Sequence, residues 1–246
     1  MVAGFDKYEM RARAFPGLLA CAPVAVLAAT FGWKRFPAIA VVSGLVVAAG
    51  GTYLMTLLVR HLGRKVQPDL WTRWGGPPTT RLLRAHRTEG NPVKRDTWRS
   101  AVEKATEIKL LTSEKEAENP SLADQTIETA VSQLTRLGQS TDYPLVKEEN
   151  INYGFERNFY GLRWIARLIS FVCCVVIVLA LAVGSVRFGG QNVSAAALAA
   201  GLIIDGLFLV GWLVLPSISR AKDAADRYAA QLLDATVAES RKSGQQ

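Results

Sequence analysis

Four apolar stretches, arranged as two close pairs around a long polar insert, constrain this chain more than any other feature. They cover residues 15–33, 37–59, 165–186 and 194–215, and each is 19 to 23 residues long. The hydrocarbon core of a bilayer is about 30 Å thick, and a helix needs about 20 residues to cross it. Each stretch is therefore predicted to span a membrane. Because the loop within each pair is very short, the four helices are predicted to form two hairpins.

The basic residues near the ends of these stretches predict the orientation of the chain. Lys and Arg are retained on the cytoplasmic side of membrane proteins. Both termini and the insert carry many of them, whereas the two hairpin loops carry few, so the termini and the insert are predicted to be cytoplasmic. The residues on the predicted inner side are Lys7, Arg11, Arg13, Arg60, Arg64, Lys65, Arg157, Arg163, Arg220, Lys222 and Arg227, against Lys34, Arg35 and Arg187 on the outer side.

The pattern predicts an all-α integral membrane protein with four parts. Residues 1–60 hold an N-terminal flank and the first hairpin, 61–163 the cytoplasmic insert, 164–216 the second hairpin, and 217–246 a cytoplasmic tail helix. The tail has apolar residues at alternating three- and four-residue steps, which is typical of a helix with one apolar seam. Self-association and docking on the insert are both compatible with that seam.

Within the insert, glycine and proline predict loops at residues 67–69, 74–80 and 89–92. A short helix is predicted to start near Thr80, with Thr79 or Thr80 as its cap. Two amphipathic helices follow.

The second of these helices is predicted to start at a capping-box-like pair, Ser121 and Asp124, and to stop near Gly138. The apolar face of each helix follows the three- and four-residue spacing of one helical side. The predicted faces are Trp98, Val102, Ala105 and Ile108 in the first helix, and Ile127, Ala130, Val131, Leu134 and Leu137 in the second.

Asp205 is a charged residue near the centre of the fourth apolar stretch. A carboxylate at that depth costs about 2.5–3.5 kcal/mol on insertion scales, so its side chain is predicted to face the bundle interior or to be neutral. A structural or oligomeric role, a gated pore and a transport site are all compatible with such a residue. The neutral partners available in the other stretches are Thr30, Ser43, Thr52, Tyr53, Thr56 and Ser170.

Basic and aromatic residues alternate at the start of the insert. Cations beside the inner face of a membrane hold anionic lipid headgroups, and tryptophans favour the interface. A phosphate-bearing ligand would use the same guanidinium groups. The predicted contacts to lipid or to an anionic ligand are Arg73, Arg81, Arg84 and Arg87, and the predicted interface anchors are Trp71, Trp74 and Trp164.

The residues that commonly carry catalysis are scarce. The two histidines, His61 and His86, stand in no metal-binding or nucleophile-activating pattern, and no dinucleotide, P-loop or specific nucleic-acid motif is present. The cysteines, Cys21, Cys173 and Cys174, all fall in apolar stretches and are predicted to pack as small apolar side chains. The sequence therefore predicts no catalytic residue, no metal and no cofactor.

Three segments, 8–13, 74–84 and 152–158, read Tyr-Glu-Met-Arg-Ala-Arg, Trp-Gly-Gly-Pro-Pro-Thr-Thr-Arg-Leu-Leu-Arg and Asn-Tyr-Gly-Phe-Glu-Arg-Asn. Together they resemble a family of bacterial inner-membrane proteins with the same two-plus-two arrangement of spans. The resemblance implies a location in the bacterial inner membrane. It implies no activity, substrate or catalytic residue.

These observations predict a non-enzymatic, homo-oligomeric membrane module. Its cytoplasmic insert is expected to bind a protein or an anionic ligand and to couple that binding to the membrane bundle. The alternative is a small transporter or channel that uses Asp205. A membrane-bound enzyme is the third possibility.

Overall fold

The computed structural model describes residues 7–32, 51–86, 90–134, 142–184, 187–188 and 191–242, and these residues are almost entirely helical. A two-residue antiparallel ladder, β1 (Arg187–Phe188) with β2 (Gln191–Asn192), lies in the loop before the last apolar helix. The structure therefore confirms the predicted all-α class. The helices are α1 (Lys7–Thr30), α2 (Thr52–Trp74), α3 (Pro78–Leu83), α4 (Pro92–Thr106), α5 (Ser113–Glu118), α6 (Pro120–Leu134), α7 (Pro144–Val183), α8 (Ala195–Val214) and α9 (Ile218–Lys242).

Three of these helices, α1, α7 and α8, are long and apolar enough to cross a membrane. At about 1.5 Å per residue, the 40 residues of α7 extend about 60 Å, which is twice the thickness of the hydrocarbon core. Residues 37–50 of the predicted second span lie outside the described residues, and residues 52–59 form the beginning of α2. The structure thus shows three of the four predicted spanning helices.

The chain divides into two compact units. One comprises Met1–Val66 and Gly154–Ser217, and the other comprises Gln67–Tyr153 and Ile218–Gln246. Nearly all large apolar side chains that are exposed in the described residues belong to the first unit, the exceptions being Val93, Leu122 and Leu145. An exposed apolar surface of that extent is stable in lipid and not in water. We therefore call the first unit the membrane unit and the second the polar unit.

Helix α2 continues through the segment predicted to be a loop at residues 67–69, with Pro68 inside the helix. The prediction was wrong because Leu70 and Trp74, on the turns that follow Pro68, are buried, and their burial offsets the backbone hydrogen bond that the proline removes. The helix stops instead at Trp74. The next two residues, Gly75 and Gly76, adopt positive φ angles of 81° and 126°, as residues without a Cβ can.

The starts of two shorter helices differ from the predicted ones. Helix α3 begins at Pro78, without a side-chain cap, rather than at Thr80. Helix α6 begins at Pro120, where the side-chain oxygen of Asn119 accepts from the Leu122 amide at 3.1 Å. Prolines favour the first helical turn because their missing amide has no partner there, and in both helices they move the start ahead of the predicted residue.

The apolar core of the polar unit contains most of both predicted amphipathic faces. Leu83, Trp98, Val102, Leu110, Ile127, Ala130, Leu134 and Leu233 form one buried cluster. Two residues of the predicted faces are not part of this core. Ala105 is exposed, contrary to the prediction, and Leu137 lies outside the described residues. The presence of Leu233 shows that α9, the predicted tail helix, docks on the insert.

Polar contacts also hold α9 against the insert. The carboxylate of Asp234 accepts from the Trp98 indole at 2.8 Å and from the Lys94 ammonium at 3.1 Å. The Tyr143 hydroxyl donates to Glu239, and this hydrogen bond raises the pKa of the phenol above its ordinary value. The insert and the tail thus fold as one unit.

Replacing Leu233 with alanine tests this packing. Leu233 is fully buried in α9, and removing a buried leucine side chain costs about 2–5 kcal/mol of unfolding free energy. We expect Leu233→Ala to lower the unfolding temperature of the full chain in detergent. Leu145→Ala in α7 is the matched control, because Leu145 is exposed in the same unit. Equal unfolding temperatures for the two variants would show that α9 does not dock.

Candidate functional site

The first feature of the membrane unit is a polar junction between α1 and α7. Pro16 has no amide hydrogen, so the Ala12 carbonyl lacks its usual donor four residues later. The helix widens into a π-helical turn at Met10–Ala14, and the Asn158 side-chain amide donates to the Ala12 carbonyl at 2.6 Å. Asn158 is fully buried, so this hydrogen bond fixes α7 against α1 within apolar surroundings.

Glycines allow the helices at this junction to approach closely. A Cβ added to Gly63 in α2 would lie 1.8 Å from the Asn158 side-chain oxygen. A Cβ added to Gly161 in α7 would lie 2.9 Å from the Gly63 backbone nitrogen, and one added to Gly154 would lie 2.8 Å from the Tyr8 hydroxyl. Small residues at helix crossings are typical of membrane bundles, where packing rather than burial drives association.

This junction unites two of the three segments that carry the family resemblance. Segment 8–13 supplies most of the π-helical turn, and segment 152–158 supplies Gly154 and Asn158. The two segments are far apart in the chain. Helix packing explains Gly154 and Asn158, because Asn158 satisfies the Ala12 backbone carbonyl and Gly154 leaves room for Tyr8 of α1.

The second feature is Asp205, which lies halfway along α8 with no exposed surface. Neither of its carboxyl oxygens has a hydrogen-bond partner among the described residues. The same helix carries Gly201, where an added Cβ would lie 2.3 Å from the Thr30 hydroxyl of α1, and Trp212, whose ring centroid is 4.4 Å from that of Phe159. Asp205 is therefore buried in the bundle and does not face lipid.

Three hydroxyl groups that were candidate partners of Asp205 donate to their own helices instead. Each has a single hydrogen, so none of the three can also donate to Asp205. Ser43, another candidate, lies outside the described residues. The three hydrogen bonds, at 2.7–2.9 Å, run from Thr30 to the Val26 carbonyl, from Ser170 to the Ala166 carbonyl and from Thr56 to the Tyr53 carbonyl.

Arg167 is a residue of the membrane unit that sequence reasoning missed. Its guanidinium donates to the Trp212 and Leu213 carbonyls at 2.9 and 3.3 Å, and it lies 4.8 Å from the Trp164 ring centroid. The last carbonyls of a helix have no partners within it, so Arg167 caps the C-terminal end of α8. Trp164, a predicted interface anchor, is largely exposed beside it. The sequence feature that could have indicated this role is the position of Arg167, a cation just inside the third apolar stretch.

In the polar unit, three of the four predicted anion-binding arginines, Arg73, Arg81 and Arg84, have carboxylate partners. Arg81 is buried and donates to Asp226 of α9 at 2.5 Å. Arg84 binds both oxygens of Asp124 at 2.8 and 2.6 Å, and this hydrogen bonding raises the pKa of its guanidinium above the ordinary value. An anion at either arginine would have to compete with a carboxylate of the protein. Arg87 lies outside the described residues.

The other predicted residues of this stretch lie in different surroundings. Arg73 is exposed and forms a 3.0 Å ion pair with Asp69 one turn earlier on α2. The indole of Trp71 donates to the Tyr153 hydroxyl at 3.3 Å, and the Trp74 ring is buried. Binding of lipid or of another anion by the four arginines stays a prediction, as does anchoring by the tryptophans.

Glu116 connects three segments of the polar unit, and sequence reasoning assigned it no role. Its carboxylate has no exposed surface and accepts from the Ala85 amide at 2.6 Å and from Arg99 at 2.9 Å, and it lies 3.1 Å from a ring nitrogen of His86. Arg99 in turn donates to two backbone carbonyls. In the sequence, Glu116 is one acidic residue in a segment of alternating charge, which is also typical of a solvated helix.

These features describe a helical protein with three helices able to cross a membrane and a second, polar helical unit. The described residues contain no group of three or more His, Cys, Asp or Glu side chains placed to hold a metal ion. Comparison with protein-family models, with curated proteins and with solved structures finds no match to this chain. Its function has to be argued from the geometry of its own residues.

Proposed function

We propose that this protein is a non-enzymatic, homo-oligomeric module of a bacterial inner membrane, with four spans and with both termini in the cytoplasm. The polar unit binds a protein or an anionic ligand, and this binding changes the packing of the membrane unit. The observation that carries the proposal is α7, a single helix whose 40 residues belong partly to the polar unit and partly to the membrane unit. A continuous helix transmits force because sharp bending disrupts its backbone hydrogen bonds.

The docking of the tail on the insert supports the proposed orientation. Segments that fold into one unit must lie on the same side of the membrane, so the chain between them has to cross an even number of times. Two of the helices that are able to span, α7 and α8, separate the insert from α9. Together with the Lys and Arg residues that flank the spans, this favours a cytoplasmic polar unit.

The partner-binding surface that we favour is a groove of about 510 Å³ between α4 and α9 in the polar unit. Its lining carries Asp96, Lys104 and Arg241 beside the exposed apolar side chain of Val93. Charges of both signs around an apolar side chain suit a protein segment better than a small anion. This favours a protein among the two proposed partners.

Photo-crosslinking in intact cells tests this binding role. A photoreactive residue replaces Ser100, which lines the groove, in the full-length protein. The control is the same residue at Leu122, which is exposed in the same unit but outside the groove. We expect one reproducible adduct at Ser100 that is absent at Leu122. Equal adducts at both positions, or none at Ser100, would remove the groove from the proposal.

A small transporter or channel is the second candidate, and the buried carboxyl of Asp205 without a described partner favours it. Ion flux into liposomes that contain the full-length protein separates the two candidates. A conducting protein would show flux that Asp205→Asn reduces severalfold. Flux at the level of empty liposomes for both proteins would eliminate this candidate and leave the binding module.

A further inference from the structure

We propose that Asp205 is a proton-binding site whose resting state is the neutral carboxylic acid. The carboxyl is fully buried at the midpoint of α8, and neither oxygen has a partner among the described residues. An ionised carboxylate without a hydrogen-bond donor is very unstable in an apolar interior, whereas the protonated acid carries no charge. Occupancy by a proton does not require that ions cross the membrane.

The hydroxyl groups on the described helices of the bundle suit a protonated carboxyl better than an ionised one. Thr30, Thr56 and Ser170 have already committed their hydrogens to backbone carbonyls, so each has only lone pairs to offer. A carboxylate needs donors, which these groups lack, while a carboxylic acid is itself a donor. Thr30 contacts α8 at Gly201, which is one turn from Asp205.

A metal cation fits these residues less well than a proton does. Hard cations such as calcium take about six to eight oxygen ligands, with carboxylate oxygens prominent among them. Within the described parts of the apolar stretches, Asp205 is the sole acidic side chain. A proton, in contrast, needs one lone pair of one oxygen.

Few charged groups accompany Asp205 in the described helices. Helix α7 contributes the thiols of Cys173 and Cys174, which are close enough to interact electrostatically with the carboxyl. Helix α1 contributes the neutral Thr30 at its contact with α8. Arg167 of α7 is held at the C-terminal end of α8 by two backbone carbonyls, two turns beyond Asp205. Among the described residues, no cation therefore pairs with Asp205 to hold it ionised.

Carbodiimide labelling tests the proposal on the full-length protein in liposomes. The O–H of a carboxylic acid adds across one C=N bond of dicyclohexylcarbodiimide, and the O-acylisourea rearranges to a stable N-acylurea that retains the whole reagent. The reaction requires the protonated acid, and this apolar reagent reaches buried sites. We expect mass spectrometry to find the adduct on Asp205 near neutral pH, and the labelling rate to fall about tenfold for each pH unit once the acid ionises.

The controls separate a proton site from the other possibilities. Asp205→Asn should abolish this adduct, and Asp205→Glu should restore it. A water-soluble carbodiimide with an added amine should instead modify the exposed Asp69. Labelling at Asp205 that sodium suppresses at fixed pH and ionic strength, or that does not vary with pH, would overturn the proposal. The proposal would also be overturned if the infrared band of a neutral carboxylic acid were the same in the wild-type protein and in Asp205→Asn.

Discussion

Gly161→Ala is expected to destabilise the membrane unit more than a glycine-to-alanine substitution on an open helix face would. A Cβ at this position would lie 2.9 Å from the Gly63 nitrogen and 3.0 Å from the Gly63 Cα, and both are backbone atoms that cannot rotate away. Helices α2 and α7 would have to separate, which would also strain the hydrogen bond between Asn158 and Ala12. Overpacking costs about 1–3 kcal/mol, and a contact with backbone lies at the upper end of that range.

The measurement is thermal unfolding of the full-length protein in a mild detergent. Unfolding is monitored as the fraction of protein that remains monodisperse at each temperature. Gly206→Ala in α8 is the matched control, because its added Cβ would meet no atom of the described residues within 4 Å. Alanine favours a helix over glycine by about 1 kcal/mol, so the control should unfold at the same temperature or slightly higher. If Gly161→Ala were as stable as Gly206→Ala, the described crossing of α2 and α7 would be incorrect.

Glu116→Gln is expected to give the largest effect in the polar unit. The substitution keeps the size of the side chain but removes the charge that faces Arg99 at 2.9 Å, in surroundings where Glu116 has no exposed surface. Breaking a buried ion pair from one side costs about 3–5 kcal/mol. We expect about 3 kcal/mol, the lower end of this range, because Arg99 keeps its hydrogen bonds to the Leu83 and Leu111 carbonyls.

Hydrogen–deuterium exchange is the appropriate measurement, because it reports the polar unit separately from the membrane unit. The amides of α3, α4 and α5 should exchange much faster in Glu116→Gln, and those of α8 should be unaffected. Glu118→Gln serves as the control, since Glu118 is exposed at the end of the same short helix. Unchanged protection in Glu116→Gln would mean that this carboxylate does not join the three segments.

Several parts of the fold could be predicted from local patterns. The length of each apolar stretch predicts a spanning helix, and the structure shows three of them in α1, α7 and α8. The three- and four-residue spacing of apolar side chains predicts most of the buried faces of α4 and α6. Depth along an apolar stretch predicts that Asp205 faces the interior of the bundle. Each of these properties depends on residues that are close together in the chain.

The parts that could not be predicted depend on residues that are far apart. Arg81 and Arg84 form part of a basic stretch in the sequence, but their partners are Asp226 and Asp124, 145 and 40 residues away. Nothing local distinguishes an arginine that meets a carboxylate from one that meets a lipid headgroup. In the same way, the apolar seam of α9 is compatible with a coiled coil until the core that it completes, around Trp98, is known.

Backbone demands explain the remaining differences. Asn158 belongs to a segment that reads as a polar entry to the third span, yet its amide satisfies a carbonyl that Pro16 leaves without its usual donor, 146 residues away at Ala12. Pro68 was expected to lie in a loop, but the helix that contains it continues to Trp74. Pro16 leaves a backbone carbonyl that a distant side chain satisfies, whereas Pro68 removes one backbone donor without ending its helix.

In the proposed topology, α7 and α8 cross a membrane, and the insert and the tail lie together on one side of it. The most direct measurement labels intact bacterial cells with a membrane-impermeant maleimide. The full-length protein carries alanine in place of its cysteines and one new cysteine, introduced as Ser100→Cys in the insert, Ala238→Cys in the tail or Asn192→Cys in the hairpin loop. All three positions are exposed.

We predict that the maleimide labels the cysteine at position 192 in intact cells, and that it labels those at positions 100 and 238 only after the membrane is permeabilised. The reverse pattern would invert the orientation that we propose. Labelling that places the insert and the tail on opposite sides, or recovery of the protein from lysed cells without detergent, would contradict the proposed topology itself.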